Sequence, residues 1–244
     1  MPAAFDAFLE AFSHVPGLLL GLERDGMGGL SLNLLLSLAA VPLSLAGGAL
    51  IAAVRFLRIP VACGIAKAYV EAAKSLPLLL LVFWLHYALP HFTGWNPPLF
   101  ATAVSGLVLL GSAHAAEVFR SGARTVETAQ CEAAMLAGLP RHAVFRLVVL
   151  PQAAGIMLPA FLGVVVTLFK DSSLVFVIGL LELTHTGMLL ANRHPDALPA
   201  FYVFIALGYM TVCLLLSHLE SVLRRRLRQK GMEVPVSGAE QGSL

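Results

Sequence analysis

Residues 75–116 contain no Asp, Glu, Lys or Arg, and neither do 26–54, 147–169 or 197–219. About 20 consecutive apolar residues cross the hydrocarbon core of a bilayer as a helix, and each of these runs is long enough. Lipid offers no partner to backbone N–H and C=O groups, so every span has to be helical. Charged residues make up 12 % of the chain, about half the ~25 % of a soluble domain. The bilayer is therefore the solvent this sequence is written for.

The 75–116 run is too long for one helix. Pro90-His91-Phe92-Thr93-Gly94-Trp95-Asn96-Pro97-Pro98 is dense in turn-forming residues, and it splits the run into spans over 70–89 and 99–119. With 26–54, 147–169 and 197–219 the expectation is five transmembrane helices in an all-α membrane protein. The uncharged run 172–181 is too short to cross alone. Gly47, Gly48, Ala52 and Ala53 in the first span, and Gly106 and Gly111 in the third, mark places where helices can approach closely. Asn33 is expected to hydrogen-bond between helices.

An odd number of spans puts the termini on opposite sides, and the Lys/Arg bias chooses which. All but three of the 16 Lys and Arg residues, the exceptions being Arg24, Lys170 and Arg193, fall in one set of segments. That set comprises 55–74, 120–146 and 224–230. The N-terminal segment 1–25 and the 90–98 turn are then expected outside, and the 120–150 loop and the tail inside. The tail 221–244 carries Arg224, Arg225, Arg226 and Arg228, suited to anionic lipid headgroups, and is expected to be disordered from Gly231 onward. Asp6, Glu10, Glu23 and Asp25 are the reverse of the basic start of a cleavable signal.

Cys63, Cys131 and Cys213 are scattered, with no C-x-x-C spacing, so neither a disulfide framework nor a metal site is expected. His86, His114 and His185 are isolated. No H-E-x-x-H, G-x-S-x-G or G-x-x-x-x-G-K-[ST] pattern occurs. No catalytic residue, metal or cofactor is assigned, and nothing points to nucleic acid.

The 120–150 loop has its own pattern. Gln130 to Ala137 is rich in good helix formers, Gly138 can end that helix in the left-handed conformation, and Pro140 suits the first turn of a second. Two short helices joined at Leu139 are expected. Ala133, Ala134 and Ala137 offer a narrow face, Met135 and Leu136 apolar grip, and Glu132 is favoured by the dipole near the helix start. From spacing alone, a partner-docking helix and an amphipathic helix lying on the membrane are equal readings.

Glu132-Ala133-Ala134, Gly138 and Leu150-Pro151-Gln152-Ala153 resemble the cytoplasmic coupling loop of permease subunits in bacterial ATP-binding-cassette importers. Glu117-Val-Phe-Arg-Ser-Gly122 is similar to the family's E-I-F-R-G-G stretch, and Lys74-Ser-Leu-Pro-Leu-Leu79 to R-G-T-P-L-L. Lys170-Asp-Ser-Ser-Leu-Val175, Ile178-Gly179 and Glu182-Leu-Thr184 are similar to K-D-T-S-L-V, I-G and E-L-T. The resemblance runs from about residue 30 to 220 and is to the polar amino acid branch, most of all to glutamate/aspartate-type permeases. Leu76 and Leu81 depart from it, where the branch commonly has Thr and Gln.

The resemblance implies an importer-type transmembrane domain over 26–220 with an outside N-terminus in the inner membrane, and no enzymatic activity of its own. ATP is bound by a separate ATPase subunit, met by Glu132, Ala133, Ala134, Ala137, Gly138, Leu139, Pro151 and Gln152. It also implies a periplasmic solute-binding protein and a second permease subunit, identical or related. A basic amino acid, an amine or another small solute is the alternative cargo, and a membrane scaffold the remote alternative.

Lys170 and Asp171 are unusual charges beside a span. Charge at the bilayer centre costs about 2.5–3.5 kcal/mol on insertion scales, so such residues face a cavity or each other. Either they pair at headgroup level, or Lys170, Asp171, Ser172 and Ser173 line the substrate path. Glu117 is expected to pair with Arg120 one turn on.

Overall fold

The structure is a computed structural model and describes residues 12–20, 28–57, 60–124 and 128–229. The N-terminal eleven residues and the tail beyond 229 lie outside the described residues, so the expectation of a disordered end is not addressed. Among the described residues four helices are long and apolar enough to cross a membrane, or up to five if one bent pair counts as a span.

A short α1 (Val15–Leu20) precedes α2 (Gly29–Leu57), the first spanning helix. α2 lies against α6 (Leu99–Arg124) along a seam of small residues. A Cβ built on Gly48 would lie 2.5 Å from Ala115 Cβ and 2.8 Å from the Ala116 backbone nitrogen. One built on Gly111 would lie 2.4 Å from Ser44 Oγ and 2.9 Å from Leu168 Cδ2 of α9 (Leu150–Asp171). Backbone proximity of this kind supplies the van der Waals contact that drives helix association where lipid is as apolar as leucine. Around the seam, Leu36, Ala40, Val82, Ala103, Leu107, Leu168 and Val175 are buried.

The second expected span, 70–89, is not one helix. α3 (Pro60–Ser75) ends at Leu76-Pro77, and the chain turns by 104° into Leu78–Thr93. A residue before proline is pushed out of the helical region by the pyrrolidine ring, and Pro77 itself is extended at ψ 131. The second limb comprises α4 (Leu78–Phe83), a π-helical turn over Trp84–Ala88, and α5 (Leu89–Thr93), which Gly94 ends at φ 70. The first half of the expected 90–98 turn is therefore helical.

Beyond α9 the chain tightens into a 3-10 segment, Ser172–Ile178. This is the run judged too short to cross alone, and it extends the fourth span instead. α10 (Leu183–Arg193) packs with α1 on the last helix, α11 (Leu198–Gln229), burying Leu18, Leu183, Leu190 and Phe201. α11 runs ten residues past the expected span end at 219, so the basic stretch through Arg226 is helical.

Candidate coupling segment and translocation path

α7 (Thr128–Leu136) and α8 (Arg141–Val144) fill the loop between the third and fourth spans. The end of α7 is closed by two hydrogen bonds. Leu139 N donates to Ala134 O at 3.1 Å and Gly138 N to Met135 O at 3.0 Å, which is the paired pattern of a Schellman motif. It needs a left-handed residue between them, and Gly138 supplies it at φ 87. Pro140 is extended at ψ 154 and caps α8 from outside rather than sitting in its first turn. Glu132 lies beyond the first turn of α7, which holds no acidic residue, so the dipole contributes little there.

The two faces of α7 differ. Cys131 and Ala134 pack against Val144, Val149, Ala153 and Met157. Ala134 is thus turned toward its own chain, while Glu132, Ala133, Met135, Ala137, Gly138 and Leu139 are exposed. Leu136 is 89 % exposed. Met135 and Leu136, expected from the sequence to offer apolar grip, are thus both on the surface. Pro151 and Gln152 begin the fourth spanning helix by their backbone, and their side chains lie outside the described residues.

α8, a π-helical turn over Phe145–Val149 and α9 follow one another without a gap. Helical backbone, with Pro151 and Pro159 within α9, therefore runs unbroken from the loop at Arg141 to Asp171. Glu117 accepts hydrogen bonds from Arg120 Nε at 2.9 Å, as expected, and from Arg55 Nη1 at 3.0 Å, which ties α2 to α6.

At the far end of this stretch Lys170 is exposed, Asp171 and Ser173 are half-buried, and Ser172 is fully buried. Among the described residues neither Lys170 nor Asp171 makes an ion pair, with each other or with any other group. Ser172 faces the interior, where Asn33 Nδ2 donates to its Oγ at 2.9 Å, and it donates to Phe169 O at 2.7 Å.

That interior holds a polar cluster. Glu182, with no exposed surface, caps α10 by accepting from Thr184 N and His185 N, both at 2.9 Å. The same carboxylate accepts from Tyr209 Oη at 2.6 Å and Asn33 Nδ2 at 3.1 Å. The Asn33 amide oxygen accepts from Leu183 N at 3.0 Å. These groups come from α2, the 3-10 segment, α10 and α11.

The binding-protein-dependent transport system inner membrane component family matches residues 26–229. The chain belongs to that family. It is 32 % identical over 186 residues to a probable glutamine ABC transporter permease protein of Bacillus subtilis (strain 168), covering 75 % of this chain and 85 % of that one. It is 28 % identical over 207 residues to a glutamate/aspartate import permease protein of Escherichia coli O157:H7, covering 82 % and 92 %. In structure it is similar to an amino acid ABC transporter crystallised with histidines, with TM-score 0.79 and 30 % identity over 90 % of this chain and 98 % of that one. The inward-facing MetNI methionine ABC transporter shares the fold at TM-score 0.62 and 16 % identity, over 79 % and 93 %.

The protein is thus an amino-acid ABC transporter permease of the inner membrane, a transport component rather than an enzyme. Tyr209 was invisible to sequence reasoning, since a tyrosine inside an apolar run carries no positional signal. Glu182 stood in the stretch similar to the family's E-L-T and just before a helical segment, but neither signal gave it a structural role, since Ser, Thr, Asp and Asn are the usual caps.

The permease's Gly138 can be tested apart from its surroundings, because a Cβ there meets nothing within 4 Å. Any cost is backbone strain, about 1–2 kcal/mol for an L-residue in the left-handed region and higher for a β-branched one. Gly138→Val is expected to cut uptake severely, while Gly138→Asn, which tolerates that conformation, keeps most of it. Uptake per amount of membrane-inserted permease checks this, and equal uptake by the two variants would break the link between turn and transport.

Proposed function

We propose that the permease moves a polar amino acid of the glutamate/aspartate class inward across the inner membrane, with its N-terminus outside and its C-terminus in the cytoplasm. A separate ATPase subunit docks on the exposed face of α7 and supplies the energy. A periplasmic binding protein delivers the solute, and a second permease subunit completes the path. Lys170, Asp171 and Ser173 face that path, Lys170 toward a carboxylate and Asp171 toward an ammonium.

One observation carries the reading. The segment that resembles the coupling loop continues as unbroken helical backbone to Asp171, which supports transmission of a push on the loop to the path. Switching by rigid movement of packed helices is a known repertoire, and α9 is held to α2 and α6 through Gly111. The orientation rests on the Lys/Arg distribution. The cargo class rests on the similarity to a glutamate/aspartate import permease and on the Lys74-Ser-Leu-Pro-Leu stretch.

The test is uptake by the permease reconstituted with its ATPase and binding protein. Glutamate or aspartate is expected to drive uptake and to raise ATP hydrolysis, with glutamine, lysine and an amine as competitors. Asp171→Asn is expected to lower uptake about tenfold or more, since a hydrogen bond to a charged group contributes about 1.5–3 kcal/mol and ~1.4 kcal/mol is a factor of ten. Unchanged uptake at normal expression would take Asp171 out of the path. Stimulation by lysine alone would move the permease to the basic amino acid class.

A further inference from the structure

We propose that Glu182 is a positioning residue for the substrate path, holding Ser172 through Asn33 so that the change from α-helix to 3-10 helix is pinned beside Asp171. The proposal rests on the assignment of Asp171 to the path.

An ionised carboxylate accepts at about four lone-pair sites. Glu182 uses its two oxygens for four donors from Thr184 N, His185 N, Tyr209 Oη and Asn33 Nδ2. Three of these converge on Oε2 and one reaches Oε1, and the side chain has no exposed surface to offer solvent or solute. This polar group works only on its neighbours. Asn33 is oriented from both ends, because its oxygen takes the Leu183 N–H. Its amide hydrogens are then directed at Glu182 and at Ser172 Oγ. Tyr209 is held on its other side by Thr184 Oγ1 at 3.0 Å. A parallel bridge between Gly29 and Glu182, with Gly29 N donating to Leu181 O at 2.8 Å, fixes the start of α2 against the same loop.

Ser172 is where the helix type changes, being the C-cap of α9 and the first residue of the 3-10 segment. An α-helix turns by about 100° per residue and a 3-10 helix by about 120°. Moving the change by one residue therefore rotates everything beyond it by about 20°. Ser172 itself can serve either helix, since its hydroxyl bonds back to Phe169 O at 2.7 Å. The long-range bond from Asn33 is what selects the site of the change, and so the direction in which Ser173 is presented relative to Asp171.

The experiment uses the permease assembled with its ATPase in native membranes. Ser173→Cys is introduced with Cys63, Cys131 and Cys213 replaced by serine, and its rate of reaction with N-ethylmaleimide is measured per assembled complex. Tyr209→Phe keeps the ring and removes one donor to Glu182. Glu182→Gln keeps the size but sets an amide N–H against at least one of the four donors. Both are expected to change the labelling rate at least threefold and to lower solute uptake alongside it. A role in folding alone would lower the amount of complex without altering the labelling of what assembles. If Glu182→Gln does not assemble, Tyr209→Phe decides. Labelling within twofold of the parent overturns the proposal. Labelling that changes while uptake stays at the parent level overturns it from below, by removing the path assignment, and Asp171→Asn tests that assignment separately.

Discussion

Leu136→Asp is expected to abolish ATP-driven uptake while the permease still folds and accumulates at its normal level. At 89 % exposure Leu136 has almost no intrachain packing to lose, so its replacement leaves the fold alone. It stands on the outer face of α7 beside Met135, which is 39 % exposed. Burial of a leucine in a partner's groove contributes about 1.5–3 kcal/mol, and interfaces concentrate their energy in a few such anchors. Losing the contact weakens docking by roughly 10- to 100-fold, since ~1.4 kcal/mol is a factor of ten. An unpaired carboxylate in the groove costs more. Recovery of the ATPase with tagged permease measures docking directly. Ala134→Asp is the control on the inner face, where Ala134 packs against the Val144 and Val149 cluster, and it is expected to reduce folded permease instead. Wild-type uptake by Leu136→Asp would refute the docking assignment and favour a helix that merely rests on the membrane surface.

Gly48→Val is expected to prevent stable accumulation altogether. The nearest atoms to a Cβ at this position include the Ala116 backbone nitrogen at 2.8 Å, besides Ala115 Cβ at 2.5 Å. A backbone atom cannot rotate aside, so α2 and α6 have to separate. Overpacking a core typically costs about 1–3 kcal/mol, and a clash with backbone belongs at the upper end. The separation would also open the contact of Gly111 with Ser44 and Leu168, loosening α9. Size-exclusion profiles and thermal unfolding of the detergent-extracted permease read the effect. Gly64→Val is the comparison, because a Cβ there meets nothing within 4 Å and accumulation should be unaffected. A Gly48→Val permease as stable as the parent would show that the seam is not what holds the bundle.

Four of the five expected spans could be read directly as single apolar helices, because partitioning into hydrocarbon is a local property of about 20 residues at a time. Gly138 was legible for the same reason: a left-handed cap is a requirement of one residue and its two hydrogen bonds. Met135 and Leu136 were legible as surface apolar residues of that loop. The inward turn of Ala134 was not, since which side of a short helix is covered depends on Val144, Val149 and Met157, residues the loop meets only after folding. The break at Leu76-Pro77 carried a proline signal, yet the 104° bend is set by packing on both limbs.

What the sequence determined alone is a bundle of apolar helices with a structured loop carrying exposed apolar side chains, because bilayer solvation and helix capping act within a few residues. What tertiary structure alone decided is the cluster around Glu182. Its members sit 139, 149 and 176 positions apart in the pairs Asn33–Ser172, Asn33–Glu182 and Asn33–Tyr209. No local pattern reports such separations. A buried carboxylate becomes tolerable only when helices from distant parts of the chain bring its donors to it.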